Sequence, residues 1–242
     1  MTDAALAAHL AHEAGRLLME VRETSGLAGK ALGMAGDAAA NRYLCDALRS
    51  ARPADGLLSE EERDNPARLS RSRVWVVDPV DGTREYSEGR SDWAVHVALA
   101  IDGAPCVGAV ALPGLGGGIV LRSDQPQPLP PAASTPRIVI SRTRPPAEAE
   151  LLAVAIDGVL VAMGSAGAKA MAVVRGEAEA YVHSGGQHEW DSCAPTAVAT
   201  AFGLHCSHLD GAPLTYNNPQ TDIPDLLICR RELAGIVLAA LA

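Results

Sequence analysis

Apolar positions recur every three to four residues over 3–22, where Leu6, Leu10, Ala14, Leu17, Leu18 and Val21 form one stripe. That spacing predicts an amphipathic helix. Tyr43, Leu44, Leu48 and Ala51 share a second face, which predicts a helix from Asp37 to about Arg49. The period then shortens. Residues 73–77 are a run of strand formers, and Trp93, Val95, Val97, Leu99 and Ile101 alternate as one inner face of a strand. Asp102-Gly103 turns that strand into another over about 106–112, giving a hairpin or meander. Residues 124–136 carry five prolines in thirteen positions and read as a linker. Beyond it, strands over 137–141, 159–163 and 178–183 alternate with helices over 146–156, 166–175 and 192–202, and a last helix covers 232–241. Helices followed by an antiparallel meander predict an α+β part over 1–123. The alternation predicts an α/β part over 137–242.

Composition narrows the function. The 242 residues are 48% hydrophobic, so a packed core rather than a disordered chain is expected. The net charge of −9 argues against binding nucleic acid through general basicity. A net anion that handles anionic substrates needs local cations, most simply bound metal. No apolar run approaches the ~18 residues of a membrane span, and the N-terminus lacks a signal pattern, so a cytoplasmic protein is expected. The five cysteines are scattered without a C-x-x-C pair, which points to reduced thiols rather than disulfides or a zinc knuckle. Aromatics are only 3% of the chain, yet Trp75, Tyr86, Trp93, Tyr181 and Trp190 fall in or beside acid-rich segments.

Those acids form three groups. In Trp75-Val76-Val77-Asp78-Pro79-Val80-Asp81-Gly82-Thr83 an apolar strand ends in an acid, a proline turns the chain, and a second acid returns. Asp78 and Asp81 would then lie side by side, repelling unless a proton or cation sits between them. Hard cations such as Mg2+ want several oxygens, and the Val80 carbonyl could add one. Asp-Pro and Asp-Gly are also ordinary turn formers. Leu57-Leu58-Ser59-Glu60-Glu61-Glu62 is either a solvated acidic turn or a buried strand that delivers Glu60 to its end. Asp191, in Glu189-Trp190-Asp191-Ser192, opens an apolar helix. Capping that helix and binding a metal are compatible through different carboxylate oxygens.

Two glycine-bearing stretches, 164–169 and 183–188, sit between expected strands and helices, where free N–H groups could hold a phosphate. Other motifs fail. Gly26–Ala31 is too short for a P-loop, His188-Glu189 lacks the second His of a zinc protease, and no G-x-S-x-G elbow occurs.

Ser59-Glu60-Glu61, Asp78-Pro79-Val80-Asp81-Gly82-Thr83 and Trp190-Asp191, in that order, resemble the inositol monophosphatase-like superfamily of metal-dependent phosphatases. Leu58–Glu61, Asp81–Tyr86 and Val139–Arg142 are most similar to its CysQ branch, whose members are 3′-phosphoadenosine 5′-phosphate phosphatases. The resemblance implies a layered αβαβα sugar-phosphatase-like fold and two or three Mg2+ held by Glu60, Asp78, the Val80 carbonyl, Asp81 and Asp191. It implies that Asp37, ahead of the second helix, and Thr83 orient the attacking water. The Gly82-Thr83 backbone would cradle the scissile phosphate, and Ser165, Lys169 and His183 would contact the rest of the substrate. Arg142 and Arg84 are further candidates for a second phosphate, because many relatives carry arginine where this chain has His183. A Ser-Pro-Val-Thr run usual before the acid matching Asp37 is absent, so the loop there is expected to be shorter.

The implied activity is Mg2+-dependent hydrolysis of 3′-phosphoadenosine 5′-phosphate to AMP and phosphate, serving sulfur assimilation and sensitive to lithium. Inositol phosphates or fructose 1,6-bisphosphate are alternative substrates, and a non-catalytic metal-binding protein is the alternative class. The partner implied is a small phosphorylated molecule, not a nucleic acid polymer or a membrane, and homodimers occur in the family.

Overall fold

A computed structural model of the protein describes residues 1–241. Helix α1 (Asp3–Thr24) opens with the Thr2 hydroxyl accepting the Ala5 N–H at 3.2 Å, and buries Leu6, Leu10, Ala14 and Leu18. Helix α2 (Gly29–Ala51) packs beside it. The two cover one face of a sheet built from β1 (Gly56–Ser59), β2 (Arg73–Asp81), β3 (Ala94–Ile101), β4 (Ala104–Leu112) and β5 (Ile119–Arg122), in that order across the sheet. Beyond residues 124–136 a second sheet has the order β7 (Val159–Met163), β6 (Arg137–Ser141), β8 (Ala180–His188), β10 (Asp222–Cys229), β9 (His205–Ser207).

Alternation along the strands sorts side chains into three apolar layers. Trp75, Val77, Val95, Val97 and Leu99 face α1 and α2. Val74, Val76, Ala98 and Val110 face the other way, onto α5 (Ala166–Val174) and α6 (Glu189–Ala201), which also pack on Val139, Tyr181, Leu226 and Ile228 of the second sheet. Ile138, Ile140, Val182 and Leu227 complete the far side beneath α4 (Ala149–Ala155) and α7 (Arg231–Leu241). The result is the expected αβαβα stack, with one core shared between residues before and after the proline-rich stretch.

Three expectations change. The first sheet is not wholly antiparallel: β1 runs parallel to β2, because the connection between them crosses over instead of making a hairpin. The second is mixed, with β8, β10 and β9 antiparallel. Helix α2 begins eight residues before Asp37, so Asp37 lies in the helix rather than ahead of it and residues 30–36 are no loop. Gly33 and Gly36 in this stretch are points of close approach to α3 (Thr83–Ser87). A Cβ on Gly33 would come within 2.8 Å of Thr83 Cγ2, and one on Gly36 within 2.7 Å of Tyr86 Cε1.

Candidate metal centre and active-site cleft

Strand β1 ends with Ser59 opposite Val77, and the Glu60 N–H reaches the Val77 carbonyl at 3.4 Å, so Glu60 leaves its strand beside Asp78. At Asp78-Pro79 the chain cannot continue the ladder, since proline has no N–H to give. The Asp78 carboxylate accepts the Val80 N–H at 3.0 Å, and the β2–β3 register slips between Asp78 and Asp81. Asp191 arrives from the first turn of α6, where its carboxylate accepts the His188 N–H at 2.7 Å. Asp78, Asp81 and Asp191 each present one carboxylate oxygen, and these lie within 4.8 Å of one another.

So many acids in one place are electrostatically unstable alone. Burial, with Glu60 and Asp81 adding repulsion, raises the Asp78 carboxyl well above its ordinary range. Burial and the Asp191 charge push Glu60 up to about 7, and burial and Asp81 push Asp191 up to about 6. Asp81 goes the other way. Burial alone would raise it, but His96, the Ser165 hydroxyl and the Gly167 N–H hold it down to about 2. Such an all-oxygen donor set fits a hard divalent cation, which would remove the repulsion directly.

Thr83 stands at the edge of this group. Its Oγ1 donates to the Val80 carbonyl at 3.1 Å and lies 3.4 Å from Asp37 Oδ1. One hydroxyl proton serves only one acceptor at a time, so Thr83 is a switchable link between the Val80 carbonyl and Asp37. Burial and the neighbouring Glu61 charge push Asp37 up to about 7. Gly82 makes the turn into α3 at φ 87°, a left-handed conformation that side chains disfavour.

The stretch 164–169 behaves differently from its sequence reading. The Ala166 and Gly167 N–H groups do not await a ligand; they donate to Asp81 at 3.0 and 2.5 Å, and Ser165 Oγ adds a third bond to it at 2.5 Å. An internal carboxylate thus takes the anion position at the start of α5. The stretch 183–188 is likewise no loop: β8 runs through it. His96 is a partner the sequence reading missed. Fully buried on β3, it sets Nδ1 2.9 Å from the Trp190 carbonyl and Nε2 3.2 Å from Asp81 Oδ2. Gly167 makes room for it, since a Cβ there would fall 2.0 Å from Nε2.

A cleft opens above Asp81 and Asp191, lined by Gly82, Arg142, Ser165, Lys169 and His183 together with Arg144, which the sequence reading also passed over. Arg142 pairs with Glu85 at 2.7 Å and Glu88 at 3.0 Å. Lys169 is buried, and its ammonium donates back to the Gly164 and Ser165 carbonyls at 3.1 and 2.5 Å. Burial lowers it to about 8, although Asp81 and Glu85 oppose that shift. Burial, aided by Lys169 and Arg144, lowers His183 to about 4, so near neutral pH the ring carries no charge. Arg84 is exposed on α3 and does not line the cleft.

Residues 3–241 match the description "Inositol monophosphatase family". The chain belongs to that family. A "3'-phosphoadenosine 5'-phosphate phosphatase" of Mycobacterium leprae is 48% identical over 255 residues, covering 100% of this chain and 94% of its own. A protein of the same name from Mycobacterium tuberculosis is 49% identical, covering 95% and 90%. Among solved structures of the family, Staphylococcal IMPase-II superposes with a TM-score of 0.79 at 25% identity, covering 99% of this chain and 94% of that one. The αβαβα layering is therefore a family trait. No helix among the described residues is long and apolar enough to cross a membrane.

Proposed function

We propose that this chain is a phosphoric monoester hydrolase that removes the 3′-phosphate of 3′-phosphoadenosine 5′-phosphate, leaving AMP and inorganic phosphate. The observation that carries this reading is the convergence of Asp78, Asp81 and Asp191, the last two of which open onto a cleft lined by Arg142, Arg144 and Lys169. The near-full-length similarity to mycobacterial proteins of that name supports the substrate. Five free cysteines support a cytoplasmic location, where sulfur assimilation generates this nucleotide.

Glu60, Asp78, the Val80 carbonyl, Asp81 and Asp191 would hold two or three Mg2+. Held there, such ions would supply Lewis-acid chemistry: a more acidic water, offset phosphate charge and a stabilised leaving oxygen. The chain's own residues do the rest. Asp37 and Thr83 orient the attacking water, and Asp37, whose carboxylate lies 3.4 Å from the Thr83 hydroxyl, is placed to accept that water's proton. The Gly82 and Thr83 backbone steadies the scissile phosphate. Ser165 and His96 fix the orientation of Asp81, and Arg142, Lys169 and His183 shape the wall that meets the rest of the nucleotide.

Phosphate release from 3′-phosphoadenosine 5′-phosphate with Mg2+, compared with Asp81→Asn, tests the reading. Release by the wild type alone is expected, and release no greater than that of the variant would overturn it. A kcat/KM panel that includes inositol monophosphate and fructose 1,6-bisphosphate ranks the substrates.

A further inference from the structure

We propose that Arg144 is the specificity-determining residue of the cleft, binding a second phosphate remote from the one cleaved and so favouring a nucleoside bisphosphate over a monophosphate. The proposal rests on the phosphatase reading above and deepens it. Four basic side chains line the cleft: Arg142, Arg144, Lys169 and His183. Three of them are already engaged. Arg142 is held between Glu85 and Glu88. Lys169 is 4% exposed, turned back onto two loop carbonyls and lying over the Tyr181 ring at 5.2 Å. His183 is buried, with Nε2 2.8 Å from the Gly185 carbonyl.

Arg144 differs from all three. It is exposed, and among the described residues no carboxylate lies within salt-bridge distance of it; only its backbone N–H is bonded, to Ser141 Oγ at 3.1 Å. The guanidinium rests over Gly186, where a Cβ would come within 2.9 Å of Nη1. Gly186 itself has φ 73°, so a side chain there is disfavoured twice, by backbone and by space. Pro145 and Pro146 follow directly and limit the backbone behind it. A planar fork of donors, with its charge unpaired and its backbone restricted, suits a phosphate dianion better than a sugar hydroxyl. One cleft joins it to Asp81 and Asp191, so a single ligand with two phosphates can engage both ends. A monophosphate whose only phosphate lies at the acids leaves Arg144 without a partner.

The test compares kcat/KM for 3′-phosphoadenosine 5′-phosphate and for 3′-AMP, which lacks the remote phosphate, in the Mg2+-loaded wild type, Arg144→Ala and Arg144→Lys. The ratio of the two values is expected to fall about 10- to 100-fold in Arg144→Ala, the range of one charge-assisted contact, with the change in KM rather than kcat. Arg144→Lys should recover part of it. An unchanged ratio, or equal losses on both substrates, would overturn the proposal. If the wild type cleaves neither nucleotide, the phosphatase reading alone fails. Calorimetric Kd values for the same two nucleotides then decide Arg144: a ratio reduced by Arg144→Ala supports it, and an unchanged ratio overturns it.

Discussion

Asp37 is a half-buried acid with no cation beside it among the described residues, and that sets a pH-dependent cost on the metal-free fold. Its pKa rises from 3.8 to about 7 on folding, first through burial and then through the Glu61 charge. The folded chain therefore keeps a proton that the unfolded chain has released between about pH 4 and 7. The associated stability is fully present below the lower limit and lost as pH climbs through the upper one. Asp37→Asn removes that loss. Because Asp37 keeps part of its surface in water, about 1 kcal/mol is expected, or a Tm about 2–4 °C above wild type at pH 8 and a smaller gap at pH 5. Scanning calorimetry without metal checks it, and phosphate release by the same variant should fall at least about 100-fold if Asp37 handles the water's proton. At this scale Glu60, Asp78, Asp81 and Asp191 were legible because each stands in a short local pattern, whereas Asp37 entered only through the resemblance. His96 was not, since one histidine among alternating Val and Ala residues of a strand carries no local signal; only the fold puts it against Asp81. Arg144 was hidden for a different reason: its meaning depends on its neighbours Arg142 and Lys169 being engaged elsewhere.

At the scale of elements, small residues do the positioning. Gly36 on α2 meets Tyr86 and Leu18, and Gly33 meets Thr83, so the α2 backbone rests directly on α3 side chains. A helical Gly→Ala change ordinarily adds about 1 kcal/mol of helix stability. Gly36→Ala should do the opposite, because its methyl would sit 2.7 Å from the buried Tyr86 ring, whose hydroxyl donates to the Leu18 carbonyl at 2.8 Å. Overpacking of this kind costs about 1–3 kcal/mol, giving a Tm lowered by about 2–8 °C in thermal denaturation. A Tm equal to or above wild type would mean the contact relaxes freely. Gly167→Ala is the parallel case at α5, where the intruding methyl displaces His96 from Asp81 and should weaken Mg2+ binding as well as the fold. Gly33 and Gly36 lie in the stretch 30–36, which was expected as a shortened loop and is instead the first two turns of α2. Read along the chain they are helix breakers; in three dimensions they are the condition for α2 to reach the site. The anion-binding reading of 164–169 failed similarly, because periodicity could not reveal that Asp81, over eighty positions earlier, would occupy those N–H groups.

On the scale of the whole molecule, the resemblance implied the αβαβα layering and the alternation of elements implied an α+β part followed by an α/β part; strand order was in neither, since pairing β1 parallel to β2 leaves no mark on either strand's own pattern. The layers also explain how the acids meet. Asp78 and Asp81 hang from the first sheet and Asp191 from α6, and the shared core presses α6 against β2, β3 and β4. Apolar packing therefore forces carboxylates more than a hundred positions apart in the sequence into mutual repulsion, which a divalent cation would convert into a cross-link. At about ten times its Kd, Mg2+ should stabilise the fold by about 1.4 kcal/mol, a Tm increase of about 3–5 °C. Asp191→Asn supplies the control. Losing one repelling charge should raise its metal-free Tm above that of wild type, while the further gain on adding Mg2+ shrinks or disappears. Differential scanning calorimetry of both proteins with EDTA and with Mg2+ reads all four values. A wild type whose Tm ignores Mg2+ would mean that protons, not metal ions, relieve the cluster, and that the acids serve the fold without serving a reaction.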